Sequence, residues 1–150
     1  MSLKDRLFDD LKQAMKDKDV IKKEIVQIVR AGILQIEKDN KIEQLDDSLV
    51  IEIIIKEIKK LNDVIPDFIR GDRQDMVNIA NAKIELLKSY LPEQLSEDSI
   101  RETVSSAIIS VNAQSMKDMG KIMGVVSAKT KGRADSKLVS DIVKSMLQNI

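Results

Sequence analysis

Six cations lie between positions 117 and 137: Lys117, Lys121, Lys129, Lys131, Arg133 and Lys137. Only Asp118 and Asp135 oppose them, six against two, a local charge of +4. The whole chain carries 25 Lys and Arg against 25 Asp and Glu, so its formal charge is zero. A neutral chain with one basic segment points to a localised anionic partner rather than to a general polyanion binder. Drawn on a helix at about 100° per residue, Lys117, Lys121 and Lys131 share one side. Met116, Met119, Met123, Val126 and Thr130 share the other.

Gly120 and Gly124 fall beside the lysines, away from the centre of the apolar stripe. Each internal glycine costs a helix about 1 kcal/mol relative to alanine, so a pair needs a physical reason. One reason is close approach of a neighbouring helix. The other is bare main chain beside ammonium groups, which lets a phosphate chain come near. The turn Lys129-Thr130-Lys131-Gly132-Arg133-Ala134-Asp135 adds three cations where one helix ends and another begins. Amides at that second helix start can themselves receive an anion. Gly132 therefore joins Gly120 and Gly124 as a position for close backbone approach. Spacing leaves both reasons open.

Other chemistry is scarce. The chain has no Cys and no His. That excludes Cys–His and Ser–His–Asp nucleophilic catalysis, histidine general bases, and zinc held by Cys or His. No glycine-rich phosphate loop of standard spacing is present. Most carboxylates stand at helix starts or beside lysines, where capping and surface pairing account for them. The expectation is therefore no catalytic constellation, no metal and no cofactor. Arg70-Gly71-Asp72 reads as a helix stop and cap rather than an adhesion tripeptide. Gly120-x-x-x-Gly124 contains Lys121 and lacks the apolar 20-mer of a membrane dimerisation motif. The densest apolar run, Leu49 to Ile55, is broken by Glu52, and the opening Met1-Ser2-Leu3-Lys4-Asp5 is charged at once, unlike a secretory signal. A cytoplasmic protein without membrane contact is expected.

The elements that must position the basic segment read as helices. The chain is 43% hydrophobic and 33% charged, a mixture suited to amphipathic helices with solvated outer faces. Phe8, Phe68 and Tyr90 are its only aromatics, and five Gly and two Pro are too few turns for a sandwich or barrel. Ser2 with Asp5 opens a helix to about Asp17, with Leu3, Leu7, Leu11, Ala14 and Met15 on one face. Asp19 opens a second, striped by Ile21, Ile25, Ile28, Gly32 and Ile36 and stopped near Asn40. A third starts at Asp46 or Asp47. Its run of Leu, Val and Ile is not a strand, because Ile54, Ile58, Leu61 and Ile65 continue the helical stripe.

Pro66 predicts a kink or break near Ile65. Gly71 then reads as a helix stop, Asp72 as the next N-cap and Asp75 as a first-turn acid. That fourth helix runs to about Tyr90. Residues 92–96 divide the chain, and Ser96 opens a fifth helix to about Val111. Ser115 with Asp118 forms a capping box for a sixth helix ending at Lys131-Gly132, and Asp135 caps a seventh running to about Leu147. The fold class is all-α, about seven helices in two parts: a larger N-terminal helical domain over 1–92 and a small three-helix domain over 96–150. Residues 1–95 carry 17 cations and 19 acids, whereas 96–150 carry 8 and 6, so the positive excess belongs to the second part.

Three blocks at linked spacing resemble the signature of the GatB/YqeY family. They are Tyr90-Leu91-Pro92-Glu93-Gln94-Leu95-Ser96, Met116-Lys117-Asp118-Met119-Gly120-Lys121-Ile122-Met123-Gly124, and Lys131-Gly132-Arg133-Ala134-Asp135. The segments Ser2-Leu3-Lys4 and Gly71-Asp72-Arg73-Gln74-Asp75 resemble it too, so the likeness spans nearly the whole chain. Ser136, where the pattern has glycine, and Pro66, inside an expected continuous helix, depart from it. The resemblance implies a stand-alone YqeY-like protein, related to the tail of the GatB subunit of the glutamine-dependent tRNA amidotransferase. It also implies a tRNA-facing role for Lys117, Lys121, Lys131 and Arg133.

The expected function is thus a tRNA-binding accessory acting by backbone electrostatics, partnered by tRNA and by a tRNA-modifying or aminoacylating enzyme. The absence of aromatics after Ser96 argues for recognition of RNA shape and backbone rather than base stacking. Two alternatives stand beside it. One is carbon–nitrogen ligase (amidotransferase) activity with glutamine as amido donor, dependent on partners. The other is a helical protein–protein adaptor.

Overall fold

The computed structural model describes all residues, 1–150, and contains seven α-helices and no strand. They are α1 (Leu3–Asp17), α2 (Val20–Asn40), α3 (Asp47–Arg70), α4 (Gln74–Lys88), α5 (Glu97–Val111), α6 (Met119–Thr130) and α7 (Ser136–Gln148). A 3-10 turn, Met116–Asp118, precedes α6. The chain packs as two compact units, Met1–Leu91 and Pro92–Ile150.

Helix starts follow the local chemistry of their caps. Ser2 Oγ accepts from the Asp5 amide at 3.1 Å, Asp19 from Lys22 at 3.1 Å, and Asp46 from Leu49 at 3.0 Å. Ser96 accepts from Ser99 at 3.1 Å and Asp135 from Lys137 at 3.1 Å. Each such bond satisfies one of the amides that a helix start leaves without an intrahelical partner.

The first unit surrounds an aliphatic core that includes Leu7, Leu11, Ile25, Val29, Ile33, Leu45, Val50, Ile54 and Leu87. Burying one such side chain fully is worth about 1.5–3 kcal/mol. At the edge of this core lies an acid, Glu37, only 6% exposed. Lys4 Nζ donates to both its oxygens at 2.9 Å, and the Leu45 amide donates at 2.7 Å. The carboxylate thus ties α1 to α2 and to the loop before α3. Gly32 is the close-approach glycine of this unit: a Cβ there would stand 3.3 Å from Ile53 Cγ2.

Several expectations for this unit are corrected. Of the kink or break expected near Ile65, the break is absent: α3 runs through Pro66 to Arg70. Pro66 and Asn62, whose carbonyl loses its donor, are both exposed, so solvent can take the missing place. The left-handed residue after α3 is Asp72, at φ 56°, whereas Gly71 has φ −83°. Asp72 is therefore not an N-cap. Arg73 holds that position without a side-chain cap, its guanidinium paired instead with Asp75 at 3.0 Å. On α2 the buried line is Ile25, Val26, Val29, Ile33 and Glu37, and Ile28 is 47% exposed. On α1, Met15 also faces outward.

The second unit is a three-helix arrangement around Ile100, Val104, Ala107, Ile122, Val126, Val139, Ile142, Val143 and Leu147. The inward side of α6 carries Ile122, Val126 and Thr130, all buried, with Met119 and Met123 partly so. Thr130 Oγ1 closes on the Val126 carbonyl at 2.9 Å, which lets a hydroxyl sit in the core. No helix of the protein is long and apolar enough to cross a membrane.

Candidate nucleic-acid interface

The basic segment begins on the 3-10 turn. Asp118 folds back to accept from the Gln114 amide at 2.8 Å and the Ser115 amide at 3.4 Å, while Ser115 Oγ accepts from the Lys117 amide at 3.3 Å. This is the expected capping box, but it tightens the first turn, so α6 proper starts at Met119. Lys117 accordingly stands on the turn rather than on the continuous helix drawn from its spacing. The Gln114 amide holds the Asp118 carboxyl below its ordinary range, opposed by burial and aided by the Ser115 amide and the charge of Lys121. Asp118 thereby stays an anion engaged with main chain. Asp135, the other acid of the segment, accepts from the Lys137 amide at the start of α7.

All six cations are exposed. Lys117, Lys121, Lys129 and Lys137 form no ion pair; a salt bridge of this unit joins Arg101 to Glu97, elsewhere on α5. Lys129 closes the last turn of α6, and Lys137 lies in the first turn of α7.

The glycines divide. Gly120 and Gly124 are exposed, and a Cβ at either would meet nothing within 4 Å. No neighbouring helix lies over them. The close-packing reason for these two glycines is thereby removed, and the bare main chain beside Lys121 faces open space. Ser127 and Ala128, seven residues beyond Gly120 and four beyond Gly124, are exposed too. Helical register extends the small-residue surface through them towards Lys131. The sequence contained that signal, because the same spacing that selects the glycines selects these two.

Gly132 behaves differently from the expectation. It is buried, its φ is +75°, and its carbonyl accepts from Gln94 Nε2 at 3.0 Å. Glycine suits the left-handed turn there, which a residue with a Cβ adopts only under strain. The same turn receives the Leu95 amide on the Arg133 carbonyl at 2.7 Å, and Arg133 Nε donates to the Glu93 carbonyl at 3.4 Å. Glu93, Gln94 and Leu95 are thus part of the site's construction. The family block over 90–96 contains all three, but the bonds themselves could not be read from spacing, since their partners lie about 40 positions away.

A shallow cleft of about 240 Å³ is lined by Ala14, Met15, Lys18, Val20 and Lys23, with two lysines as its ionisable groups. That lining offers no carboxylate and no nucleophile–base pair.

The chain is 31% identical over 145 residues to a protein of Pyrenophora tritici-repentis named altered inheritance of mitochondria protein 41, mitochondrial, covering 95% of this chain and 79% of that one. A protein of the same name from Lachancea thermotolerans is 28% identical over 139 residues, covering 89% of this chain and 74% of its own length. A glutamyl-tRNA(Gln) amidotransferase subunit of Thermococcus gammatolerans is 42% identical over 62 residues, 41% of this chain but 10% of that protein. The family model described as Yqey-like protein matches residues 4–147. From the first turn of α1 to the last turn of α7, this chain therefore belongs to the Yqey-like protein family.

Proposed function

We propose that this protein is a tRNA-binding accessory that holds its partner through the phosphate backbone. The observation that carries the reading is the uncovered main chain of Gly120 and Gly124 beside exposed lysines on α6. Phosphates need cations for affinity and close backbone approach for fit, and this surface supplies both. The likeness to a protein whose name contains glutamyl-tRNA(Gln) supports tRNA as the RNA class. The second unit holds none of the three aromatics, which favours backbone contact over base stacking.

Binding of unfractionated tRNA by the wild type and by Lys121→Glu/Arg133→Glu, measured across salt concentrations, tests this. The wild type should lose several-fold to about tenfold in affinity per threefold rise in salt, with the double variant far weaker. Equal affinities for the two proteins would end the reading. The expected cytoplasmic compartment and the mitochondrion, named for the relatives above, both contain tRNA, and a tagged chain imaged in cells separates them. A second reading, partner-dependent amide transfer from glutamine, draws on the name of the Thermococcus gammatolerans relative. ATP- and glutamine-dependent amidation that appears in a cell extract only when this chain is added would favour it over a purely binding role.

A further inference from the structure

The cations of the basic segment are not equivalent. Five are lysines, point charges on flexible stems, and Arg133 is the one guanidinium. Its Nε donates to the Glu93 carbonyl, and its Nη1 and Nη2 form no hydrogen bond. The edge that remains is the pair of terminal nitrogens, a planar fork that matches two oxygens of a phosphate. With Nε turned to Glu93, the end-on mode through the two terminal nitrogens is the one this arrangement presents.

The main chain carrying Arg133 is fixed as well. The Arg133 amide donates to the Thr130 carbonyl at 2.8 Å, and its own carbonyl accepts from the Leu95 amide at 2.7 Å. Gln94 Nε2 holds the preceding carbonyl, that of Gly132, at 3.0 Å, and also the nearby Pro92 carbonyl at 2.9 Å. Segment 92–95 is therefore strapped across the α6–α7 turn by main chain and side chain together. An arginine restrained before its ligand arrives loses less conformational entropy on binding than a side chain without an ion pair, such as Lys121, does.

We propose that Arg133 is the phosphate anchor of the basic segment, and that Gln94, with the main chain of Glu93 and Leu95, is its positioning element. This rests on the RNA reading above and adds a division of labour to it. The lysines supply diffuse charge, and Arg133 supplies geometry. Two features follow from that division. Removing a lysine lowers both affinity and salt sensitivity, because a phosphate contact is lost. Replacing Arg133 by lysine, or releasing it by trimming Gln94, lowers affinity while leaving the number of cations unchanged.

The experiment is a titration of the full chain with unfractionated tRNA over a range of salt, using wild type, Arg133→Lys, Gln94→Ala and Lys121→Gln. Arg133→Lys should bind about tenfold more weakly, the effect of one lost charge-assisted hydrogen bond, with the slope of log affinity against log salt unchanged. Gln94→Ala should weaken binding in the same direction, again with the wild-type slope. Lys121→Gln should flatten the slope by just under one. In nuclear magnetic resonance spectra the Arg133 Nε–H signal should be slow to exchange in the free wild type and fast in Gln94→Ala. Wild-type affinity in Arg133→Lys, with Lys121→Gln still weakened, would overturn the anchor while leaving the RNA reading intact. Failure of the wild type to bind tRNA at low salt would remove both. Arg133 is exposed, so the lysine variant tests the anchor without threatening the core.

Discussion

Glu37 shows how a single residue can bind three segments together. Lys4 is the first cause that holds its carboxyl below the ordinary value of 4.5, followed by the Leu45 amide, with burial pushing the other way. A carboxylate whose folded pKa is depressed contributes stability that is fully present above its unfolded value. That stability is lost as pH falls through the folded one. The first unit should therefore weaken below about pH 4.5 as Glu37 takes up a proton. Glu37→Gln should destabilise the protein by about 1–3 kcal/mol at neutral pH, the cost of a charged hydrogen-bond set reduced to a neutral one. It should also flatten the acid limb of the stability curve. Chemical denaturation of both proteins at several pH values reads this directly. An unchanged midpoint at neutral pH would show that Lys4 and Leu45 find equal partners elsewhere.

Helix α6 and the turn after it combine three glycines of different kind. At Gly120 and Gly124 a methyl group would meet open space, so alanine should stabilise α6 by about 1 kcal/mol per site. The same substitutions should weaken tRNA binding, because they lift the ligand off the main chain. At Gly132, with φ +75°, alanine should cost about 1–2 kcal/mol, the ordinary strain of a left-handed residue with a Cβ. Thermal unfolding paired with tRNA titration separates the cases: opposite changes in stability and binding at 120 and 124, and losses in both at 132. A loss of stability with alanine at 124 would mean that this face of α6 is covered.

The whole molecule distributes these roles between two units with separate cores, one containing Leu7, Ile25 and Ile54, the other Ile100, Ile122 and Val143. All six cations of the basic segment belong to the second. Residues 92–150 expressed alone are therefore expected to fold and to bind tRNA with the salt slope of the full chain, whereas 1–91 should not bind. A domain this small is marginal, since it buries only about 60% of its unfolded surface. Circular dichroism of the fragment is thus the first measurement, and the tRNA titration the second. Binding by 1–91 alone would move the interface away from α6.

Short-range chemistry suffices for the helices, their caps and the basic segment. An N-cap bond reaches two or three residues, so Ser2, Asp19, Asp46, Ser96, Ser115 and Asp135 could each be read from their neighbours. Charge counts need no coordinates at all. Spacing also marked the inward faces of α1, with Leu7, Leu11 and Ala14, and of α6, with Val126 and Thr130, whereas on α2 the interior face was settled by packing. From Ile25 to Ile36 α2 is apolar on several sides, so only its packed neighbours could bury Val26 and Val29 and leave Ile28 outside. Packing also settled which glycines stay bare, because spacing is the same whether or not another helix lies above. The strap from Gln94 to Gly132 was invisible for the same reason: its bonds join residues far apart in the chain, which only the folded turn brings within 3.0 Å.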